Sequence, residues 1–456
     1  MRVWLAPWFV AGCTPERPPV DGPPDYGTER TDTVPQFYGH VPRNIVVISL
    51  DTFRRDELTR YGGTGNAPFL DAIAADGFAF DRHVQCSNWT FASTSCTLSG
   101  RYNVHAGMEP ALSATQAFPW PDDTRFMADE LLDAGRWSVM ASTNGWLGPE
   151  WGNTHGFNYA FHPVNNTAVG AYLEGREELD EALADGRAAN GWMLHVHATE
   201  PHAPYSPPED YLDGIDELPE IPWDLDIRDD QYEAREQWPT MTDEEQADLL
   251  QHLDLRYNGE IAHLDHEVSR IFLDLQADGL LEDAMVVFWT DHGEAFWEHN
   301  YQTHAYTLYR EENDGIALIW APNIVPQAWT EPTTAVDLAP TILALQGLPI
   351  PPEMDGHPVG TAPPDRSRFA TSSARLGVVQ SIHKGDLKLV YDWLGGAVRL
   401  FDLAADPTES NDLYDPLAPS DDAKALWAEL YPEILATQAV ISYATPTLPP
   451  ELTVDL

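Results

Sequence analysis

Three stretches of the chain carry residue types that together could hold a divalent cation beside an attacking hydroxyl. Ile45-Val46-Val47-Ile48-Ser49-Leu50 is an apolar run that ends in Asp51. A second run, Ala284 to Trp289, is followed by Asp291-His292-Gly293-Glu294. The third, Asn88-Trp89-Thr90-Phe91-Ala92-Ser93, sits in a loop that opens a predicted helix running to Gly100. Buried parallel strands present ligand groups at their C-terminal ends. A helix N-terminus favours an anion, and a hydroxyl beside a divalent metal becomes a nucleophile. Asp51, Asp291, His292 and Thr90 are therefore the candidate metal ligands, with Thr90 as the candidate nucleophile. A mixed oxygen and nitrogen set suits Ca, Mn or Zn better than a soft site would. Each residue alone also has an ordinary reading, as a turn aspartate, a helix cap or a structural histidine.

Two histidines could assist. His202 lies in the stiff segment His197-Ala198-Thr199-Glu200-Pro201-His202-Ala203-Pro204-Tyr205, and His304 in Gln302-Thr303-His304-Ala305-Tyr306. Either could bind a transferred group or protonate a leaving group. Arg54, three residues past Asp51, is a candidate substrate contact, its alternative being a surface salt bridge.

These residues need a frame. The chain has 456 residues, enough for one large domain and a smaller companion. Strands are expected at 44–50, 137–142, 191–197, 284–290 and 315–320. Helices are expected at 67–76, 93–100, 124–134, 169–184, 243–277 and 335–346. Such alternation predicts an α/β fold, a large mostly parallel sheet sandwiched by helices. Residues 206–242 break the rhythm with Pro, Asp, Glu and Trp, and read as an insertion. Trp223, Tyr232, Trp238 and the carboxylates of that insertion could receive a cationic or sugar-like group, or form a solvated acidic loop. After 365 the pattern becomes short strands (387–392, 397–402) and a late helix (421–437), a smaller α+β subdomain over 366–445. The catalytic domain is assigned to 41–365. Residues 446–456 read as a tail, and 14–40, rich in Pro, Gly, Asp and Thr, as a flexible linker.

Composition limits the partners. The formal net charge is −48, with 73 acidic residues against 25 basic ones. That argues against nucleic acid and anionic membrane surfaces. An anionic substrate would be repelled unless a metal and local cations reverse the field. Residues 1–13 end in Ala11-Gly12-Cys13 after a short apolar run and resemble a lipoprotein signal. That predicts a membrane tether through lipidated Cys13 and a place in the cell envelope or periplasm, with secretion as the alternative. Cys86 and Cys96 flank Thr90. They could form a disulfide or remain two buried thiols.

Taken in order, the segments resemble the sulfatase family of the alkaline-phosphatase-like superfamily. Asn44 to Arg54 looks like its opening strand and metal aspartate, and Ala67-Pro-Phe-Leu-Asp71 like its first helix. Thr97-Leu-Ser-Gly-Arg101 looks like the end of its nucleophile helix, and Pro201-His202-Ala-Pro-Tyr205 like a substrate-contacting loop. Thr290-Asp291-His292-Gly-Glu294, Asp337-Leu-Ala-Pro-Thr341 and Phe401-Asp-Leu-Ala-Ala-Asp-Pro407 complete the series. The resemblance implies a metal-dependent ester hydrolase with one divalent cation, acting on a small-molecule, saccharide or lipid ester. It adds Asn144 and Arg101 as substrate contacts.

The departures from the family pattern matter. Sulfatases carry Cys or Ser at the position of Thr90, followed by Pro and Arg, and convert it to formylglycine. Here Phe91, Ala92, Ser93 and Thr94 follow Thr90, Thr52 replaces a second metal aspartate, and Ser142-Thr143-Asn144-Gly145 stands where the family has Gly-Lys-Trp-His. Thr-Phe occurs in the related nucleotide pyrophosphatase/phosphodiesterase group, where threonine is the nucleophile. Phosphate or phosphonate esters are thus expected ahead of sulfate esters. The alternatives are an arylsulfatase-like sulfuric ester hydrolase, a transferase resembling the envelope phosphoethanolamine transferases, and a non-catalytic binding protein on the same fold.

Overall fold

The structure is a computed structural model that describes residues 26–108, 120–121, 123–161, 167–374, 377–441 and 444–453. Its centre is an eight-stranded sheet. Across the sheet the strands run Gln327–Trp329, Phe78–Phe80, Ala317–Trp320, Ala284–Thr290, Asn44–Leu50, Trp192–Ala198, Trp137–Ser142 and Tyr159–Phe161. All neighbours pair parallel except Ala317–Trp320, which is antiparallel to both of its own. This is the α/β architecture expected from the alternation of elements. The strands at 284–290 and 192–198 are buried at every residue. Such strands read as continuous apolar runs because helices cover both faces.

One face packs against helices Pro68–Asp76, Ala168–Asp185 and Asp243–Ala277. The other packs against Thr90–Ser99, Met127–Asp133 and Leu338–Leu345. The 35-residue helix Asp243–Ala277 begins at a capping box in which Thr242 and Glu245 satisfy each other's backbone N–H groups. Leu249, Leu253, Tyr257, Ile261, Leu264, Val268 and Ile271 form its buried stripe, spaced by three and four. Leu345 ends the last of these helices, one residue short of the boundary expected at 346. Strands 78–80, 159–161 and 327–329, which the sequence did not reveal, are three residues each. That is too short to register as periodicity.

The C-terminal unit is a four-stranded antiparallel sheet, Arg368–Ser372, Val379–Lys384, Leu387–Asp392 and Ala397–Asp402, with helix Asp421–Val440 against it. Two expectations need correction. The linker assigned to 14–40 is built into the fold over its described part. Phe37 is fully buried, and the N–H of Tyr38 donates to the Asn323 carbonyl at 2.8 Å. One apolar anchor suffices, and a polar composition conceals it. The tail from 446 is likewise packed. Leu452 joins the apolar core of the C-terminal unit, and Tyr391 donates to the Thr447 carbonyl at 2.9 Å. Cys13 and the expected lipoprotein signal lie outside the described residues. Among the described residues, no helix is long and apolar enough to cross a membrane. Cys86 and Cys96 form a disulfide that ties the loop before Thr90 to the helix that Thr90 opens.

His105 fastens the two units together. Its ring meets Asp355 Oδ1 and Glu433 Oε2, each at 2.9 Å. Hydrogen bonds to those two carboxylates push its pKa up to about 10. A histidine in the unfolded chain titrates near 6.5. The bridge therefore contributes its full stabilisation below about pH 6.5 and loses it as pH rises through about 10. His105→Gln should lower Tm by about 2 °C at pH 6. The gap to the parent should close as pH approaches 10. Paired thermal melts across that range check this, and a gap that stays constant would refute it.

Candidate active site

Strand register creates the site. Leu50 and Thr290 are paired residues on neighbouring parallel strands, so Asp51 and Asp291 leave the sheet side by side. The N–H of Asp291 donates to the Leu50 carbonyl at 3.1 Å, and that of Thr52 to Asp291 Oδ1 at 3.2 Å. Thr52 has φ 54°, a left-handed conformation that is uncommon for a β-branched residue. Tyr257 anchors it by donating to the Thr52 carbonyl at 2.7 Å. The chain can therefore turn away at once, leaving Asp51 at the strand end.

His292 joins the pair. Its Nδ1 lies 2.9 Å from the Gly293 carbonyl, which assigns the proton to Nδ1 and leaves a lone pair on Nε2. Nε2 is 3.6 Å from Asp51 Oδ1 and 3.5 Å from Asp291 Oδ2. Gly293 is required by close packing: a Cβ there would stand 2.0 Å from the Glu311 carbonyl oxygen. Asp51 Oδ1, Asp291 Oδ2 and His292 Nε2 are buried and have no hydrogen-bond partner among the described residues. The three residues offer ligand atoms within 4.8 Å of one another. Two adjacent buried carboxylates and an imidazole lone pair with nothing to accept from suit a divalent cation.

The electrostatics agree. Burial, then the charge of Asp51, pushes the Asp291 carboxyl well above the usual range. Burial works the same way on Asp51, but His202, then His197, outweigh it and hold that carboxyl low. Burial, then His304, lowers His292 to about 3, so its ring is neutral. A cation would ionise both carboxylates at neutral pH.

Thr90 is the first residue of helix Thr90–Ser99, so the helix starts earlier than the expected 93. Its Oγ1 is 3.5 Å from Asp51 Oδ2. Asn144 Nδ2 donates both to Asp51 Oδ2 at 2.7 Å and to Thr90 Oγ1 at 3.2 Å. Thr90, Asn144, His202 and His304 all line one cavity of about 750 Å³. The rings of His202 and His304 lie 5.0 Å apart, and those of His304 and His292 4.4 Å apart. His304 sits between Thr303 (φ 70°) and Ala305 (φ 69°), two further left-handed residues. Strain of this kind gathers where a side chain must be aimed.

Arg54 and Arg101 do not join them. Arg54 is committed to Asp56, Glu298 and the Glu294 carbonyl. Arg101 donates to the His105 carbonyl. It follows a ten-residue helix, which sets it about 15 Å along the axis from Thr90. The arginines that do line the cavity are Arg228 and Arg235, from a helix, Arg228–Gln237, inside the insertion. Arg228, Gln231, Tyr232 and Arg235 recur at helical spacing and share the cavity-facing stripe. The exposed Asp229, Glu233 and Glu236 do not line the cavity. The insertion thus brings cations and Tyr232 rather than carboxylates. Trp238 is not at the cavity, because it stacks on Trp297 at 3.9 Å. Trp89, Trp146 and Trp151 also line the cavity.

Two further contributors escaped sequence reasoning. Glu294 is fully buried, with Oε1 3.0 Å from His304 Nδ1, and orients that ring. His197 Nε2 lies 3.6 Å from Asp51 Oδ2, and its Nδ1 shares the Ser49 hydroxyl with His195 Nε2, each at 2.8 Å. The spacing of His195 and His197 by two was the available signal, since such residues share one face of a strand.

The chain is similar to a choline-sulfatase of Rhizobium meliloti (strain 1021), 24% identical over 357 residues, 70% of this chain and 67% of that one. In fold it is similar to BT4656, solved in complex with its substrate D-glucosamine-2-N,6-O-disulfate (TM-score 0.70, 16% identity, covering 87% and 98% of the two chains). It is also similar to a phosphonate monoester hydrolase from Silicibacter pomeroyi (TM-score 0.64, 21% identity, covering 87% and 95%). A family model described as Sulfatase matches residues 43–348, which contain every strand of the central sheet and the whole candidate site, and the chain belongs to the sulfatase family of ester-hydrolysing enzymes.

Proposed function

We propose that the chain hydrolyses phosphate, phosphonate or sulfate esters with Thr90 as nucleophile, phosphoryl transfer being favoured. The observation that supports this best is the position of Thr90 Oγ1. It lies at a helix N-terminus on a cavity wall, 3.5 Å from Asp51 and within reach of the Asn144 amide. Asp51, Asp291 and His292 would hold one Ca, Mn or Zn ion, with Thr90 beside it. When bound, that ion supplies positive charge that favours the ionised Thr90 hydroxyl and offsets an anionic substrate. Asn144 fixes the Thr90 oxygen for attack. His202 and His304 contact the transferred group or donate a proton to the departing oxygen. Glu294 and His197 orient His304 and Asp51.

A plain threonine suits phosphorus better than sulfur. A phosphothreonine can be opened by water at phosphorus, whereas a threonine sulfate would lack the aldehyde-hydrate elimination that formylglycine provides. The similarity to a phosphonate monoester hydrolase supports this reading. A second reading, sulfate ester hydrolysis, is favoured by the sulfatases among the similar proteins. Arg228, Arg235, Tyr232 and the three tryptophans favour a leaving group with a flat apolar face and an anionic substituent. A choline-like cation would meet the wrong charge.

Purified protein should carry about one equivalent of divalent metal by elemental analysis, and His292→Ala should weaken its binding at least 10-fold. Metal-free protein with full turnover, or protein that takes up no metal, would defeat the metal reading, the latter in favour of a non-catalytic binder. On a panel of aryl phosphate, phosphonate and sulfate esters, Thr90→Ala should reduce kcat by about 10⁴ on the preferred class. Sulfate turnover exceeding phosphoryl turnover with Thr90 unmodified would reverse the order of preference. Arg235→Gln should raise KM about 10-fold for 4-carboxyphenyl phosphate and leave phenyl phosphate nearly unchanged. Equal effects on both esters would remove Arg235 from leaving-group recognition.

A further inference from the structure

A second cavity, of about 470 Å³, lies where the C-terminal sheet meets the catalytic domain. In a chain with only 25 basic residues, four of its arginines line this one space: Arg55, Arg82, Arg310 and Arg368. His383 lines it as well. Arg368, His383 and Lys388 stand directly opposite one another on three adjacent antiparallel strands, so their side chains share one face. All three are buried, at 3%, 1% and 0% exposure.

Each carboxylate around the cavity has one cationic partner, and Glu409 Oε2 has no hydrogen bond among the described residues. Asp81 is paired with Arg60 at 2.7 Å, Asp386 with Arg82 at 2.6 Å, Glu409 with Lys388 at 2.7 Å, and Asp314 with Arg310 at 3.9 Å. Arg55 donates to the backbone carbonyl of Asp81 and lies over the Tyr61 ring at 4.2 Å. Arg368 reaches only the Gly385 carbonyl, at 3.4 Å, and its Nε has no hydrogen-bond partner among the described residues. Both ring nitrogens of His383 lack one too. Burial, then Arg82, lowers Arg368 to about 10. Buried polar groups are almost always bonded, and a buried guanidinium without a counter-charge is costly.

We propose that this cavity binds a small tetrahedral oxyanion, phosphate or sulfate, held by Arg368, His383 and Arg55. The anion would give Arg368 Nε and one His383 nitrogen their missing acceptor and would brace the junction of the two units. The site is separate from Thr90, and the inference does not depend on which ester is cleaved there.

The first test is a selenate soak of crystals of the full chain, read by selenium anomalous scattering. A peak within hydrogen-bond distance of Arg368 and His383 is expected, and its absence, or a peak only beside Thr90, overturns the proposal. The second is calorimetry with phosphate and with sulfate against chloride at equal ionic strength. Arg368→Gln, or the less buried Arg55→Gln should Arg368→Gln fail to fold, should weaken binding at this site about 10-fold. Turnover at Thr90 should stay at the parental rate, separating loss of this site from loss of the ester hydrolase reading. Binding unchanged in a folded variant overturns the proposal, and the difference between the phosphate and sulfate titrations identifies the preferred anion.

Discussion

Everything at the catalytic end of the molecule depends on two carboxylates being held together out of water. Asp51 and Asp291 are both fully buried, on strands paired at Leu50 and Thr290. Like charges at that separation cannot both persist in a medium of low polarity. Burial and the charge of Asp51 push the Asp291 carboxyl well above its usual range, and the three inward-facing ligand atoms have no hydrogen bond among the described residues. A divalent cation resolves both problems. Two buried carboxylates without a counter-charge are costly, and a cation bound between them would offset that cost.

The surrounding structure is arranged to keep that juxtaposition rigid. Thr52 accepts a left-handed backbone so that the chain leaves the sheet immediately after Asp51. Tyr257, from the middle of the longest helix, clamps that turn. Gly293 allows the segment carrying His292 to lie against Glu311, with no room for even a methyl group. The hydrogen bond from Ser93 to the Asp291 carbonyl ties the Thr90 helix to the same strand end, and the Cys86–Cys96 disulfide ties that helix to the loop before it. Packed elements of this kind hold reacting groups better than loops do. The cavity wall formed by Arg228, Tyr232 and Arg235 is by contrast on the insertion, where sequence can vary without disturbing the Asp51, Asp291 and His292 cluster.

The sheet and the cage were legible because both follow from local pattern. A long apolar run that stops at a carboxylate is a buried strand delivering a ligand, whatever surrounds it. Asp51, Asp291 and His292 could be placed on that basis, and Thr90 on the expectation of a helix N-terminus. Arg54 could not. Its neighbours in sequence put it near the crevice, yet Asp56 and Glu298 take its guanidinium, and Glu298 is distant along the chain. Phe37 was hidden in a Pro- and Thr-rich stretch because one anchor leaves no periodicity. The insertion read as acidic because composition counts residues without regard to face, and only helical phase shows that Arg228 and Arg235 point one way.

A chain of net charge −48 can still present a cationic cavity to an anion. Overall charge governs the field at long range, but salt screens it within about 8 Å at physiological ionic strength. What a substrate meets inside the cavity is set by the few groups that line it. There the balance is inverted: Arg228, Arg235, His202 and His304 line the cavity with Thr90, and among the described residues no carboxylate does. An acidic exterior with a cationic interior would slow the approach of any anion while holding the one that fits. The distribution therefore favours a substrate whose second anionic group can reach the insertion helix while its ester group sits at Thr90. An ester with a single charge would have to overcome the same exterior field without the contact that offsets it.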